Sequence, residues 1–346
     1  MSLGVAHDGI PPVRSPVRGS GVSTRGLTLG LVLLGAALIV RILTSSLGPS
    51  ILPAALRDFI TLSISVVVES LPFVFLGIMI SAIVQIWLPA GLLLRLLPRR
   101  GMLRRASISG LGVVLPVCEC GNVPLARGFV LGGMGVPDAV TFLLAAPLLN
   151  PVTIVTTYQA FGWSHGILAG RIVGGFVIAN FVGWLFSRHP RPSELLAPAF
   201  GDACRTHGHH EQGSRPVRTV VLFADETTAV LPALFVGSAV AGAIQVGIPR
   251  SVLITIGANP LWSVLVLMLL AFVVAICSNV DAFFALALGS SFMPGAIVGF
   301  LVFGAMVDVK MVALLRTTFT TRAVIDLTVV VMLSTLVLGL GMNLFA

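Results

Sequence analysis

Hydrophobic positions run along this chain in blocks too long for soluble core helices, and polar positions gather in short stretches between them. A helix needs about 20 apolar residues to cross a bilayer. Blocks of that order predict spanning helices near 28–46, 57–87, 138–160, 166–187, 219–246, 295–316 and 322–345. Two further stretches, 106–133 and 260–293, are apolar but broken in mid-run. Cys120-Gly121-Asn122-Val123-Pro124 interrupts the first, and Cys277-Ser278-Asn279-Val280-Asp281 the second. Two full spans need about 40 residues, and neither stretch is that long. Each therefore reads as two half-helices that enter and return on one side.

The two breaks look like copies. Aligning Asn122 with Asn279 also pairs Cys120 with Cys277, Val123 with Val280 and Pro137 with Pro294. Three residues of gap away, Leu71-Pro72 pairs with Leu231-Pro232, Gln85 with Gln245 and Pro89 with Pro249. The predicted fold is an all-α polytopic membrane protein with two inverted structural repeats, each of three spanning helices and a re-entrant hairpin, plus an extra amino-terminal helix. Its expected parts are a disordered basic arm (1–26), the extra helix (27–48), repeat 1 (56–187, hairpin 106–133), a linker (188–218) and repeat 2 (219–346, hairpin 260–293). Duplicated halves with broken helices are how many secondary transporters build a midplane site.

Arginine placement fixes the expected topology. The stretch 88–107 holds Arg95, Arg99, Arg100, Arg104 and Arg105 with no acid, and 188–218 holds five arginines against three acids. Lys310, Arg316 and Arg322 flank the last short loop. The positive-inside rule places all three stretches in the cytoplasm. Two full helices separate each consecutive pair of these loops, so each broken stretch adds an even number of crossings, as a re-entrant hairpin or, alternatively, two short full spans would. The first hairpin then starts inside and the second outside. The amino terminus and the linker are expected in the cytoplasm of a cell (inner or plasma) membrane, and the carboxyl terminus outside.

Composition narrows the function. Of 346 residues, 56% are hydrophobic and 10% charged, against about 25% charged in soluble domains. The net charge of +8 is explained by the loop arginines, so no nucleic-acid partner is expected. Four cysteines (118, 120, 204, 277) are too few for a disulfide scaffold. A phosphate-binding Walker loop, a Gly-x-Ser-x-Gly elbow and a His-Glu-x-x-His pair are all absent from the sequence. Neither ATP-driven pumping nor hydrolysis is encoded, no enzyme activity is expected, and no cofactor is implied.

The hairpin tips carry the candidate chemistry. Cys118, Cys120 and Cys277 place up to three thiols in one small volume, and thiolates select soft ions; a free cysteine also packs as a small hydrophobe. Asn122 and Asn279 are candidate substrate ligands and equally candidate caps of the returning half-helices. Pro124 fits an early position in such a helix. Glu119 and Asp281 are ionisable at membrane depth, which marks them as functional candidates, and Arg127 is a partner for Glu119, Asp281 or an anion. Glu69 reads as a proton-coupling residue, with Glu226 one helical turn from its repeat position. Asn150-Pro151 and Asp308 occupy related positions after the hairpins. Asn150 is a candidate cavity-lining amide, and Asp308 a charge-pair candidate with Lys310 beside it. In the linker, Cys204, His207, His209 and His210 have the residue types of a transition-metal site, or form a nonspecific polar tract.

At Pro116-Val117-Cys118-Glu119-Cys120-Gly121-Asn122-Val123-Pro124-Leu125 and Pro147-Leu148-Leu149-Asn150-Pro151, the chain resembles a bacterial predicted-permease family. That family includes the ArsP-type organoarsenical efflux permeases, and the resemblance covers nearly everything beyond residue 50. Members commonly read Pro-x-Cys-Ser-Cys-Gly at the tip; here Glu119 replaces the small residue and Asn122 follows the glycine. The resemblance implies a permease whose Cys118 and Cys120 meet trivalent arsenic. Cys277 joins them by the repeat argument alone. The expected function is secondary-active efflux of a small thiophilic solute, such as a trivalent organoarsenical or metal ion. The rivals are a membrane thiol-redox protein using Cys118 and Cys120, a channel, and a transporter of a small oxyanion or sulfur compound. The lipid bilayer and the solute are the expected partners, with a homodimer possible by analogy.

Overall fold

The computed structural model describes Gly35 and residues 53–87, 97–98, 100–115, 117–206, 214–247, 260–288 and 292–345. The expected amino-terminal arm and extra helix lie outside these residues, Gly35 apart. So do His207, His209 and His210 of the linker.

Among the described residues the fold is helical, with one isolated antiparallel bridge between Leu196 and Phe319. The described elements of the first half are α1 (Ala54–Trp87), α2 (Gly101–Val114), α3 (Glu119–Leu131), α4 (Val136–Leu149), α5 (Pro151–Phe161) and α6 (Ser164–Phe186). After a short linker helix α7 (Pro198–Thr206), six more follow: α8 (Arg215–Gly247), α9 (Pro260–Val274), α10 (Asp281–Leu288), α11 (Pro294–Met306), α12 (Val309–Leu315) and α13 (Thr321–Phe345). The second series repeats the first element for element. Among the described residues, five helices or helix pairs are long and apolar enough to cross a membrane, and α4 with α5, bent by 41°, makes a sixth.

Two expected spans are not continuous. The helix expected over 138–160 breaks at Asn150, and that over 295–316 breaks at Val307–Asp308. At Asn150 the cause is Pro151, which cannot donate and forces its predecessor into extended backbone (φ −60°, ψ 129°). At Asp308 (φ −135°, ψ 176°) no proline acts. Each break instead carries a side chain that caps the new helix: Asn150 Oδ1 accepts from Val152 N at 2.9 Å, and Asp308 Oδ1 from Met311 N at 2.6 Å.

Contacts along α4 define the first hairpin. Arg104 on α2 pairs with Asp138 on α4 at 2.7 Å, and Gly112 further along α2 lies against Ala146 further along α4. These helices run parallel. The tip meets the break in the bent pair, where Asn150 Nδ2 donates to Val117 O at 3.2 Å. From there α3 returns, its Phe129 ring against Phe142 on α4. Both arms therefore begin and end at one end of α4. The second hairpin repeats the plan: Val264 and Met268 of α9 touch Gly299, Ala271 touches Gly304, and Phe284 of α10 stacks on Phe300. Its tip leaves α9 through Ala275, a non-glycine residue at φ 51°, a sparsely populated backbone region.

The long helices α1 and α8 pack antiparallel. Ser63 meets Gly242, Phe75 stacks on Phe223, and Trp87 Nε1 donates to Thr219 Oγ1 at 3.3 Å. The described arginine-bearing loops gather at one end of the bundle. The linker strand joins the last loop through Ala197 N to Thr318 O and Thr320 N to Leu195 O, Gly183 of α6 abuts Pro137 and Thr141 at the start of α4, and Arg215 lies over the Trp87 ring.

Candidate functional site

Both tips converge on one buried cluster. Helix α3 begins at Glu119, directly after Cys118, so its first turn presents Glu119, Cys120 and Asn122 at a helix N-terminus, where negative charge is favoured. Gly121 is required in that turn because a Cβ there would meet the Phe73 carbonyl of α1. Cys118, Glu119, Cys120 and Asn122 are each at most 1% exposed. Ligand atoms of Cys118, Glu119 and Cys120 all lie within 4.8 Å of one another. Cys277, from the other half, contacts the Cys118 thiol and lies 3.9 Å from Glu119 Oε2. Cys120 Sγ lies 3.5 Å from Ser70 Oγ on α1.

Glu119 links the halves. Its Oε2 accepts from Ser278 Oγ at 2.8 Å and Ser278 N at 3.3 Å, and its Oε1 lies 3.0 Å from Lys310 Nζ. The same ammonium is 3.7 Å from Asp308 Oδ2. Lys310 is thus a site residue, not the loop-flanking residue that the charge pattern implied. The break at Asp308 turns α12, and Lys310 with it, into the protein interior. Across the cluster, Thr153 in the first turn of α5 donates to Asn279 Oδ1 at 3.3 Å.

Two arginines brace the hairpins. Arg171 of α6, fully buried, donates to both carboxylate oxygens of Asp281 at 2.9 and 2.7 Å, to Thr157 Oγ1 at 2.8 Å and to Ser278 O at 3.3 Å. Arg127 of α3 binds Glu226 of α8 at 2.7 and 3.4 Å and the Thr317 carbonyl at 2.7 Å, with Phe200 of the linker helix over its guanidinium. The expected partners of Arg127, Glu119 or Asp281, are therefore replaced by Glu226. Asp281 is held by Arg171, which no sequence motif marks. A lone arginine in an apolar span was the available signal.

Other expectations shift. Asn122 does not cap a helix: it lies inside α3, and neither its Oδ1 nor its Nδ2 has a hydrogen-bond partner. Pro124 is likewise interior to α3 and removes the bond that Cys120 O would accept. Glu69 lies outside the cluster, on an exposed stripe of α1 that includes Ser65, Pro72 and Leu76. Cys204 is half-buried on α7.

Together these features define a polytopic helical protein with a closed, thiol- and charge-lined site halfway along its bundle. The family profile described as "Predicted permease" matches residues 55–344. The chain belongs to this predicted-permease family, which includes the ArsP-type permeases. It is 34% identical over 266 residues to the UPF0718 protein YcgR of Bacillus subtilis, covering 75% of this chain and 88% of that one. It is 30% identical over 277 residues to a Streptococcus mutans protein named as a two-component membrane permease complex subunit, covering 80% and 91%. The UPF0718 protein YraQ of Escherichia coli matches over 136 residues at 29% identity, 38% of each chain. No solved structure matches. The chain is a membrane permease by family.

Proposed function

We propose that the chain is a secondary-active permease of the cell membrane that exports a small thiophilic solute, such as a trivalent organoarsenical or a metal ion. The observation that carries this reading is the sealed cluster of Cys118, Cys120, Cys277 and Glu119, built from both hairpin tips. Soft thiolate donors select soft acceptors. The antiparallel packing of α1 on α8 and the repeated element order support inverted repeats. The positive-inside rule then puts the arginine-bearing end, with the linker, in the cytoplasm and the carboxyl terminus outside. Asn122 and Asn279 line the site as polar ligands, with Asn150 holding the first tip. Alternating access opens the cluster to one side at a time.

An oxyanion cargo is the weaker reading, because the one ammonium at the cluster already faces two carboxylates. Glu69 supports a protein partner. A carboxylate on an exposed stripe at mid-span is costly against lipid, and a second copy or a different second subunit would cover it.

Uptake into everted vesicles under a proton gradient tests this function. Trivalent methylarsenical, zinc and copper(I) are compared for the unsubstituted chain, Cys118→Ser and Cys120→Ser. Accumulation of one solute, lost in both variants, supports it; equal accumulation in all three proteins removes the thiols as ligands.

A further inference from the structure

We propose that Lys310 is a tethered counter-cation that occupies the empty site, and that the cargo is a thiophilic metal cation which displaces it from Glu119. The inference rests on the permease reading and narrows its substrate to a charged class.

The donor set comes first. Ligand atoms of Cys118, Cys120 and Glu119, all buried, lie within 4.8 Å of one another, with the Cys277 thiol 3.9 Å from Glu119 Oε2; such sulfur and oxygen donors suit soft or borderline cations such as Cd²⁺ and Zn²⁺. A cation that uses this set must take Glu119, since that carboxylate is its one anionic oxygen ligand among the described residues. That oxygen is not free: Lys310 Nζ holds Oε1 at 3.0 Å, with both side chains 1% exposed. An ammonium and a metal ion cannot share one carboxylate without strong repulsion at such range.

The displaced ammonium has somewhere to go. Asp308 Oδ2 is buried, has no hydrogen-bond partner, and stands 3.7 Å from the same Nζ. Asp308 Oδ1 is fixed by Met311 N, so the second oxygen stays aimed at Lys310. A small swing therefore carries the ammonium from one carboxylate to the other without leaving it unpaired. Glu119 and Asp308 share one ammonium, so either carboxylate can hold it.

The exchange also bears on motion. Glu119 belongs to the first half and Lys310 to the second. Their ion pair ties the halves together, and the cation would release that tie while binding thiols from both tips. Each coordinated thiol gives its proton to solvent. Asn122, with a buried amide that bonds to nothing, stands beside this set as a further oxygen donor.

The test is a Cd²⁺ titration of the purified full chain in detergent, followed by the cadmium–thiolate absorption band. Lys310→Met removes the competitor, so its affinity for Cd²⁺ should rise by about tenfold or more. Lys310→Arg keeps a cation and should bind no tighter than the unsubstituted chain. Lys310→Met/Asp308→Asn, which drops one carboxylate together with the ammonium, should also bind tighter and guards against misfolding of the single variant. A merely structural lysine gives the opposite sign, since its loss would weaken binding. Unchanged or weaker affinity in both folded variants, or no Cd²⁺ binding by any protein, overturns the inference. Gradient-driven flux in vesicles is read separately, so the permease reading can fail while the Lys310 effect stands, and the reverse.

Discussion

The returning arm of the first hairpin, α3, is buried over nearly its whole length, whereas its counterpart α10 exposes Phe283 and Leu286. The difference comes from the long helices. Helix α1 lies on α3, where Gly77 meets Gly121 backbone to backbone. Gly237, at the matching position of α8, meets the backbone of Lys310 on α12 instead. One sequence plan is thus packed in two ways. Close helix approach at small residues is the usual means of membrane packing, and here the same kind of glycine serves two different neighbours. Two packings of one repeat plan are what the proposed alternating access would use.

The tips differ in the same sense. Gly121 of the first tip corresponds to Ser278 of the second. Glycine is needed where α1 crosses the first tip, whereas the serine of the second tip bonds Glu119. The bent helices differ as well: Asn150 and Thr153 are neutral, whereas Asp308 and Lys310 are charged. The ion cluster therefore joins the first half's tip to the second half's bent helix, and the opposite diagonal is a neutral Thr153–Asn279 contact.

Breaking the braces should give the largest effect. Arg171→Met leaves Asp281 buried and unpaired, a loss of about 3–5 kcal/mol, read as thermal unfolding in detergent. Arg171→Met/Asp281→Asn should recover much of it; no recovery would mean that the arginine acts through packing alone. Exchanging the tip residues comes next. Ser278→Ala removes a hydrogen bond to a carboxylate and should cost about 1.5–3 kcal/mol. Gly121→Ala pushes a methyl group into α1 and should cost about 1–3 kcal/mol. Tolerance of both substitutions without loss of stability would deny these two tip contacts. The smallest stability effect belongs to Asn122→Ala, which removes a side chain with no partner and should move stability by less than about 1 kcal/mol. Flux should nevertheless fall, and unimpaired flux would take Asn122 out of the site.

Much of this was legible in the sequence. Broken apolar runs located both hairpins, and the matched Cys and Asn residues located the tips, because a polar break inside a long apolar block has few other readings. Arg171 escaped because a single arginine hardly lowers the hydropathy of a long span. Lys310 was misplaced because the α11–α12 break has no proline to announce it, so the lysine counted as a loop charge. The orphaned amide of Asn122 and the pairing of Arg127 with Glu226 depend on where α1 and α8 come to lie. That is a long-range matter which no local pattern encodes.

A cross-link between Cys118 and Cys277 asks whether both tips form one site. A chain carrying only Cys118 and Cys277, with a protease site in the linker, is treated with a short thiol-bridging reagent and then cleaved. The two halves should then migrate as one species on a denaturing gel. Halves that separate after full modification of both cysteines would contradict it.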